Sequence, residues 1–118
     1  MSRIIKFRET LAMYRRHGWS LAGVLMCAAS LAELRESVGG VVGDAPGFED
    51  VTVEESPFDA MWLTRPSEGG REAWELRLVA DTPYALFELF EPDEEEEDRA
   101  DVRREMEARM REYVAPEG

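Results

Sequence analysis

The sequence predicts an α+β fold. Two N-terminal helices precede an antiparallel meander sheet of three or four strands, and an amphipathic helix closes the chain, in the order α-α-β-β-β-β-α. Three observations carry this. Apolar residues recur at steps of three and four near both ends, which is the helical period. Between residues 51 and 90 the period becomes two, and the intervening connections are too short for parallel crossovers. The chain has 118 residues, 44% hydrophobic and 9% aromatic, the size and composition of one globular domain, 1–118, around one core.

The first helix is RIIKFRETLAMYRR, residues 3–16, with Ile4, Phe7, Leu11 and Tyr14 on one face. Gly18 is its natural stop. Ser20 then fits the cap of a second helix running through Val38 and ended by Gly39 and Gly40. That helix is apolar nearly all round, so it reads as the central core helix. A helix-turn-helix does not fit, because the base-reading positions would be Leu21, Ala22, Val24 and Leu25, and direct readout needs polar groups there. The stretch 19–34 faintly resembles a signal peptide, but its leader is long and helix-patterned. The apolar run is also too short to span a bilayer.

GGVVGDAPGFED, residues 39–50, reads as a linker rich in Gly and acid. VTVEE alternates at Val51 and Val53, and FDAMWLTR reads as a second strand. PSEGG is a turn with glycine where positive φ is cheap. REAWELRLVA puts Trp74, Leu76 and Leu78 on one face and Glu75, Arg77 and Val79 on the other. Setting Trp62 opposite Trp74, with Ala60 opposite Leu76 and Phe58 opposite Leu78, gives one coherent apolar face. In YALFELF, Ala85, Phe87 and Leu89 face one way and Tyr84, Leu86 and Phe90 the other, with Glu88 the one charge. A strand apolar on both faces expects cover on both, from helices or from another copy.

Pro92 ends that strand. Asp93 can cap the last helix, with Glu96 at the third helical position as in a capping box. Glu94, Glu95, Glu96 and Glu97 then meet the positive end of the helix dipole. Val102, Met106, Met110 and Tyr113 make the apolar stripe, and Glu105 with Arg109 and Glu107 with Arg111 are favourable i,i+4 pairs.

The formal charge is −12, with +4 over residues 1–18 and −6 over residues 93–118. So acidic a chain is repelled by nucleic-acid phosphates and anionic lipid, which argues against direct nucleic-acid or membrane binding and for a basic protein partner. Lys6 is the only lysine and Cys27 the only cysteine. No internal disulfide or zinc set can form, and a reducing cytoplasm fits. DEEEED, residues 93–98, lacks the central glycine of a calcium loop. Neither a metal nor a cofactor is expected.

Chemistry is scarce. His17 stands between arginines at a helix end, Ser20 lacks an orienting third group, and Cys27 reads as a small core residue. The glycines at 39, 40 and 43 are not followed by Gly-Lys-Ser/Thr. The functional expectation is therefore a small acidic, non-enzymatic binding protein. It would inhibit or regulate a basic, nucleic-acid-handling protein in the manner of immunity proteins, antitoxins or phage anti-defence inhibitors. Its docking residues would be Glu94, Glu95, Glu96, Glu97, Asp98, Asp101 and Glu105, extended by Glu49, Asp50, Glu54 and Glu55. Capping and solvation account for part of the acidic run, but its number of carboxylates exceeds what a helix dipole needs. One alternative is a self-assembling or chaperone-like homodimer, with Tyr84, Leu86, Phe90, Met106, Met110 and Tyr113 as its oligomer face. Another is a small enzyme using His17 with carboxylates.

Overall fold

A first helix, α1 (Arg3–Arg16), leads into the second strand from one edge of a five-stranded mixed sheet. The computed structural model describes residues 3–37, 48, 51–82 and 84–115. Strand β1 (Ser20–Met26) is followed by α2 (Ala28–Ser37), then β2 (Thr52–Glu55), β3 (Ala60–Pro66), β4 (Glu72–Leu78), β5 (Tyr84–Phe90) and α3 (Glu96–Val114). The strand order is β2-β1-β3-β4-β5. The α+β class and the run of helices and strands match the expectation, with one strand more.

That extra strand corrects the second helix. Ser20 opens β1 instead of capping a helix, and only residues 28–37 are helical. The physical reason is position. β1 is an inner strand between β2 and β3, and helices pack on both faces of the sheet there, so Val24 and Met26 are buried on one side and Leu25 on the other. A short two-sided apolar run carries no period that separates strand from buried helix. β1 pairs in parallel with β2 and antiparallel with β3. The segments around 51–55 and 60–66 are thus separated by β1, whereas β3, β4 and β5 form the expected antiparallel meander.

The β3–β4 register also differs. Trp62 faces Leu76, Thr64 faces Trp74 and Ala60 faces Leu78. The slip is two residues, so every side chain keeps its face. Its origin is the turn: Ser67 N–H donates to Arg71 O (2.8 Å), closing a loop over Glu68–Gly70 in which Gly69 and Gly70 take φ of 70° and 77°.

Alternate strand residues feed two cores. Val24, Met26, Met61 and Leu63 meet Ile4, Phe7, Leu11 and Tyr14 of α1 and Leu31 and Leu34 of α2. Leu25, Ala60, Trp62, Leu76 and Leu78 meet Met106 and Met110 of α3. The sheet is a middle layer with α1 and α2 on one face and α3 on the other. The segment read as a linker contributes Phe48, fully buried and edge-on to Phe7 at 6.3 Å. The rest of 38–50, including Glu49 and Asp50, lies outside the described residues.

Gly18 stops α1 as expected, at φ 85°, with Trp19 N–H returning to Tyr14 O (3.1 Å). The starts of both helices on that face are closed from a distance. Glu33 of α2 accepts the backbone N–H groups of Arg3 and Ile4, each at 3.3 Å. Asp59, just before β3, accepts Cys27 N–H (2.9 Å) and the hydroxyl of fully buried Ser30 (2.7 Å). Cys27 O receives Leu31 N–H (3.0 Å), so Cys27 is the cap residue of α2 and not part of a longer helix. No helix among the described residues is long and apolar enough to cross a membrane.

Candidate partner-binding surface

The acidic run does not form the capping box. Helix α3 begins at Glu96 with Glu95 as its cap residue, and no side chain closes that cap. Glu94 instead folds back to accept Glu91 N–H (2.8 Å), holding the exit from β5. Its task is structural, and it is only half-exposed.

The other acids divide into two groups. Glu96 bonds Arg103 Nη2 (2.5 Å), Asp101 pairs with Arg104, and Glu105 accepts from Arg109 Nη2 (3.3 Å). Glu107 turns away from Arg111 and accepts the indole N–H of Trp62 (3.0 Å), so the second expected i,i+4 pair gives way to a tie between α3 and the sheet. Asp93, Glu95, Glu97 and Asp98 are all exposed, and none of their carboxylates has an ion-pair or hydrogen-bond partner among the described residues. Three of the seven docking candidates, Glu95, Glu97 and Asp98, thus form a cluster of free carboxylates at the start of α3. Glu54 and Glu55 are exposed on β2, across β1 and β3 from the β4–β5 end that α3 covers.

The arginines on the inner side of α3 explain why this polar helix packs. The guanidinium of Arg103 lies 4.8 Å from the Trp74 ring and that of Arg99 5.6 Å from Phe90. Arg99 also bonds Glu72 (2.9 Å) and the Glu91 carbonyl (2.6 Å). Each guanidinium lies over an aromatic ring and also bonds an acid or carbonyl. Trp62 and Trp74 meet edge to face at 6.0 Å beneath them.

The residues expected at an oligomer face are turned largely inward within one chain. Phe90, Met106 and Met110 are buried inside the chain, and Tyr84 and Leu86 pack on the same core. Tyr113 is 48% exposed, but its ring stacks on Tyr84 at 3.7 Å. Helix α3 itself covers that side of β5. The opposite side is the bare one: Ala85 is exposed and Phe87 is 58% exposed.

The remaining chemistry is dispersed. His17 and Ser20 are exposed at the turn between α1 and β1, and no carboxylate among the described residues bonds His17. Cys27 is half-buried beside Ser30 (3.5 Å). No group of three or more His, Cys, Asp or Glu side chains among the described residues could hold a metal ion. Under α1, Tyr14 donates to Glu75 and accepts from Arg77 (3.1 Å). Burial, reinforced by the Glu75 carboxylate, pushes its phenol up to about 12. The basic residues of α1 and the acids of α3 lie on opposite faces of the sheet. No family model matches the chain, and neither a curated protein nor a solved structure matches it significantly.

Proposed function

We propose that the chain is a small acidic binding protein, without catalysis of its own, that docks the start of α3 on a basic surface of another protein. The observation that carries this is the split among the acids. Glu96, Asp101 and Glu105 are matched by arginines and Glu107 by the Trp62 indole, and Glu112 stands alone near the helix end, whereas Glu95, Glu97 and Asp98 stand exposed and unmatched together in one turn. Uncompensated like charge in one place repels itself and contributes little to the fold beyond the helix dipole, so a complementary partner is the physical use for it. Nucleic-acid-handling proteins present the basic faces such a cluster fits, and the net charge of −12 disfavours direct contact with the nucleic acid. Inhibition or regulation of such a protein in the cytoplasm, by covering its basic face, is the reading this supports best. Glu96, Asp101 and Glu105 flank the cluster and shape its rim.

The test is affinity capture from lysate of the native host, read by mass spectrometry. Wild type is run beside a Glu95→Gln, Glu97→Gln, Asp98→Asn variant. A basic protein captured by wild type, released by added salt and missed by the variant supports the reading. Equal capture by both ends it.

A further inference from the structure

We propose that the outer edge of β5 pairs antiparallel with β5 of a second copy of the chain, centred on Phe87, joining two five-stranded sheets into one. The direction of the backbone groups can be counted. Ser67 N–H donates to Arg71 O and Val79 N–H to Asp59 O (2.9 Å) at the two ends of the β3–β4 ladder. Stepping by two from either end, Ala73, Glu75 and Arg77 are the β4 residues that bond β3. Thr64 Oγ1 donating to Ala73 O (3.0 Å) agrees, because that carbonyl must then point at β3. Glu72, Trp74, Leu76 and Leu78 therefore turn to β5 and engage Phe90, Glu88, Leu86 and Tyr84. What is left over is Ala85, Phe87 and Leu89, whose N–H and C=O groups point away from the sheet at its last strand.

Part of this edge is already guarded. Leu89 N–H donates to the Glu88 carboxylate (3.2 Å), and beyond the strand Glu91 N–H and C=O are taken by Glu94 and Arg99. Ala85 and Phe87 have no such guard among the described residues. Phe87 is also the most exposed large apolar side chain described, at 58%. Open backbone and bare aromatic surface coincide at one residue, which is the form of a strand-pairing site.

The register picks the second copy as occupant. With Phe87 opposite Phe87 of the second copy, Ala85 meets its Leu89, Leu86 its Glu88 and Tyr84 its Phe90. Each outward-pointing residue then falls opposite another outward-pointing residue, as a hydrogen-bonded pair requires. The two Phe87 rings share the face that α3 leaves bare, and the interface is closed by a two-fold axis. Glu88 is the one charge in the strand, so the net −12 of each copy acts as diffuse repulsion and not as a local clash. Added salt screens that repulsion and strengthens this association, the opposite sign to capture of a basic partner.

The test is sedimentation velocity on the full chain from micromolar to sub-millimolar concentration, at low and high salt. Expected is a reversible dimer whose fraction grows with salt. Phe87→Lys, a charge placed on an exposed edge, abolishes it. Glu88→Gln, which removes the strand's charge and its guard on Leu89, moves dimerisation to lower concentration. Circular dichroism checks that both variants fold, and the Glu88 variant keeps the test decisive if the Phe87 variant does not. A wild type that stays monomeric at the highest concentration in high salt overturns the proposal and leaves the edge to a strand of another protein. A dimer unmoved by both substitutions also overturns it.

Discussion

On the α1/α2 face of the sheet, two acidic side chains, Glu33 and Asp59, end on backbone N–H groups at helix starts; on the α3 face the acids that have partners end mostly on arginines. Glu33 and Asp59 reach across the fold to close the starts of α1 and α2, and the core between is aromatic and aliphatic, around Phe7, Phe48 and Leu34. Helix α3 starts without a side-chain cap, packs through two methionines, and lays arginines over Trp74 and Phe90. Carboxylates on the first face complete hydrogen bonds that the helix ends would otherwise lack, so they are part of the fold. On the second face the pairs are mostly exposed and individually weak, and at the start of α3 there are more acids than partners. The difference separates acids that the structure uses from acids that it carries.

This contrast can be broken or sharpened by substitution. The largest expected effect is in the first core. Phe7→Ala should cost about 3–5 kcal/mol as a cavity opens against Phe48 and Leu34, read as a lower urea midpoint with an unchanged slope. Met110→Ala, its counterpart under α3, should fall toward the lower part of a range of about 2–5 kcal/mol, because a helix held from one side can settle into the gap. Next comes Asp59→Ala, which strips the cap from α2 and leaves the buried Ser30 hydroxyl unmatched, at about 1–3 kcal/mol in the same assay. If it behaved like a surface substitution, the distinction between the two kinds of acid would fail. The smallest effect is Glu105→Gln on α3, within about 0.5 kcal/mol of wild type.

Tyr14 adds a test by pH. Its phenol is raised from an ordinary value near 10 to about 12 in the folded chain. The unfolded chain gives up that proton first. The associated stability is therefore fully present below pH 10 and is lost as pH rises through about 12. Tyr14→Phe should flatten this part of the alkaline stability curve, measured by thermal unfolding at stepped pH.

The helical periods of α1 and α3 were legible, since Ile4, Phe7, Leu11 and Tyr14 are buried and so are Met106 and Met110. So were the faces of β3 and β4, because alternation survives a two-residue slip. β1 was not legible: its neighbours on both sides come from residues far along the chain, and no local period records them. The cap on α2 was hidden for the same reason, since Asp59 lies 29 residues from Ser30. The acidic run was visible at once, yet its division into structural Glu94, paired Glu96 and unmatched Glu95, Glu97 and Asp98 depends on where the exit from β5 turns. The bare edge of β5 needed the strand order, because nothing in YALFELF says which strand lies at the end of the sheet.

The most direct measurement sets two triple variants side by side for capture of the partner found with wild type. One removes the unmatched acids, as Glu95→Gln, Glu97→Gln, Asp98→Asn; the other removes the paired ones, as Glu96→Gln, Asp101→Asn, Glu105→Gln. The first should lose the partner while its urea midpoint stays near wild type, and the second should keep most of its binding. Capture lost equally in both, or kept in both, would contradict this division of the acids.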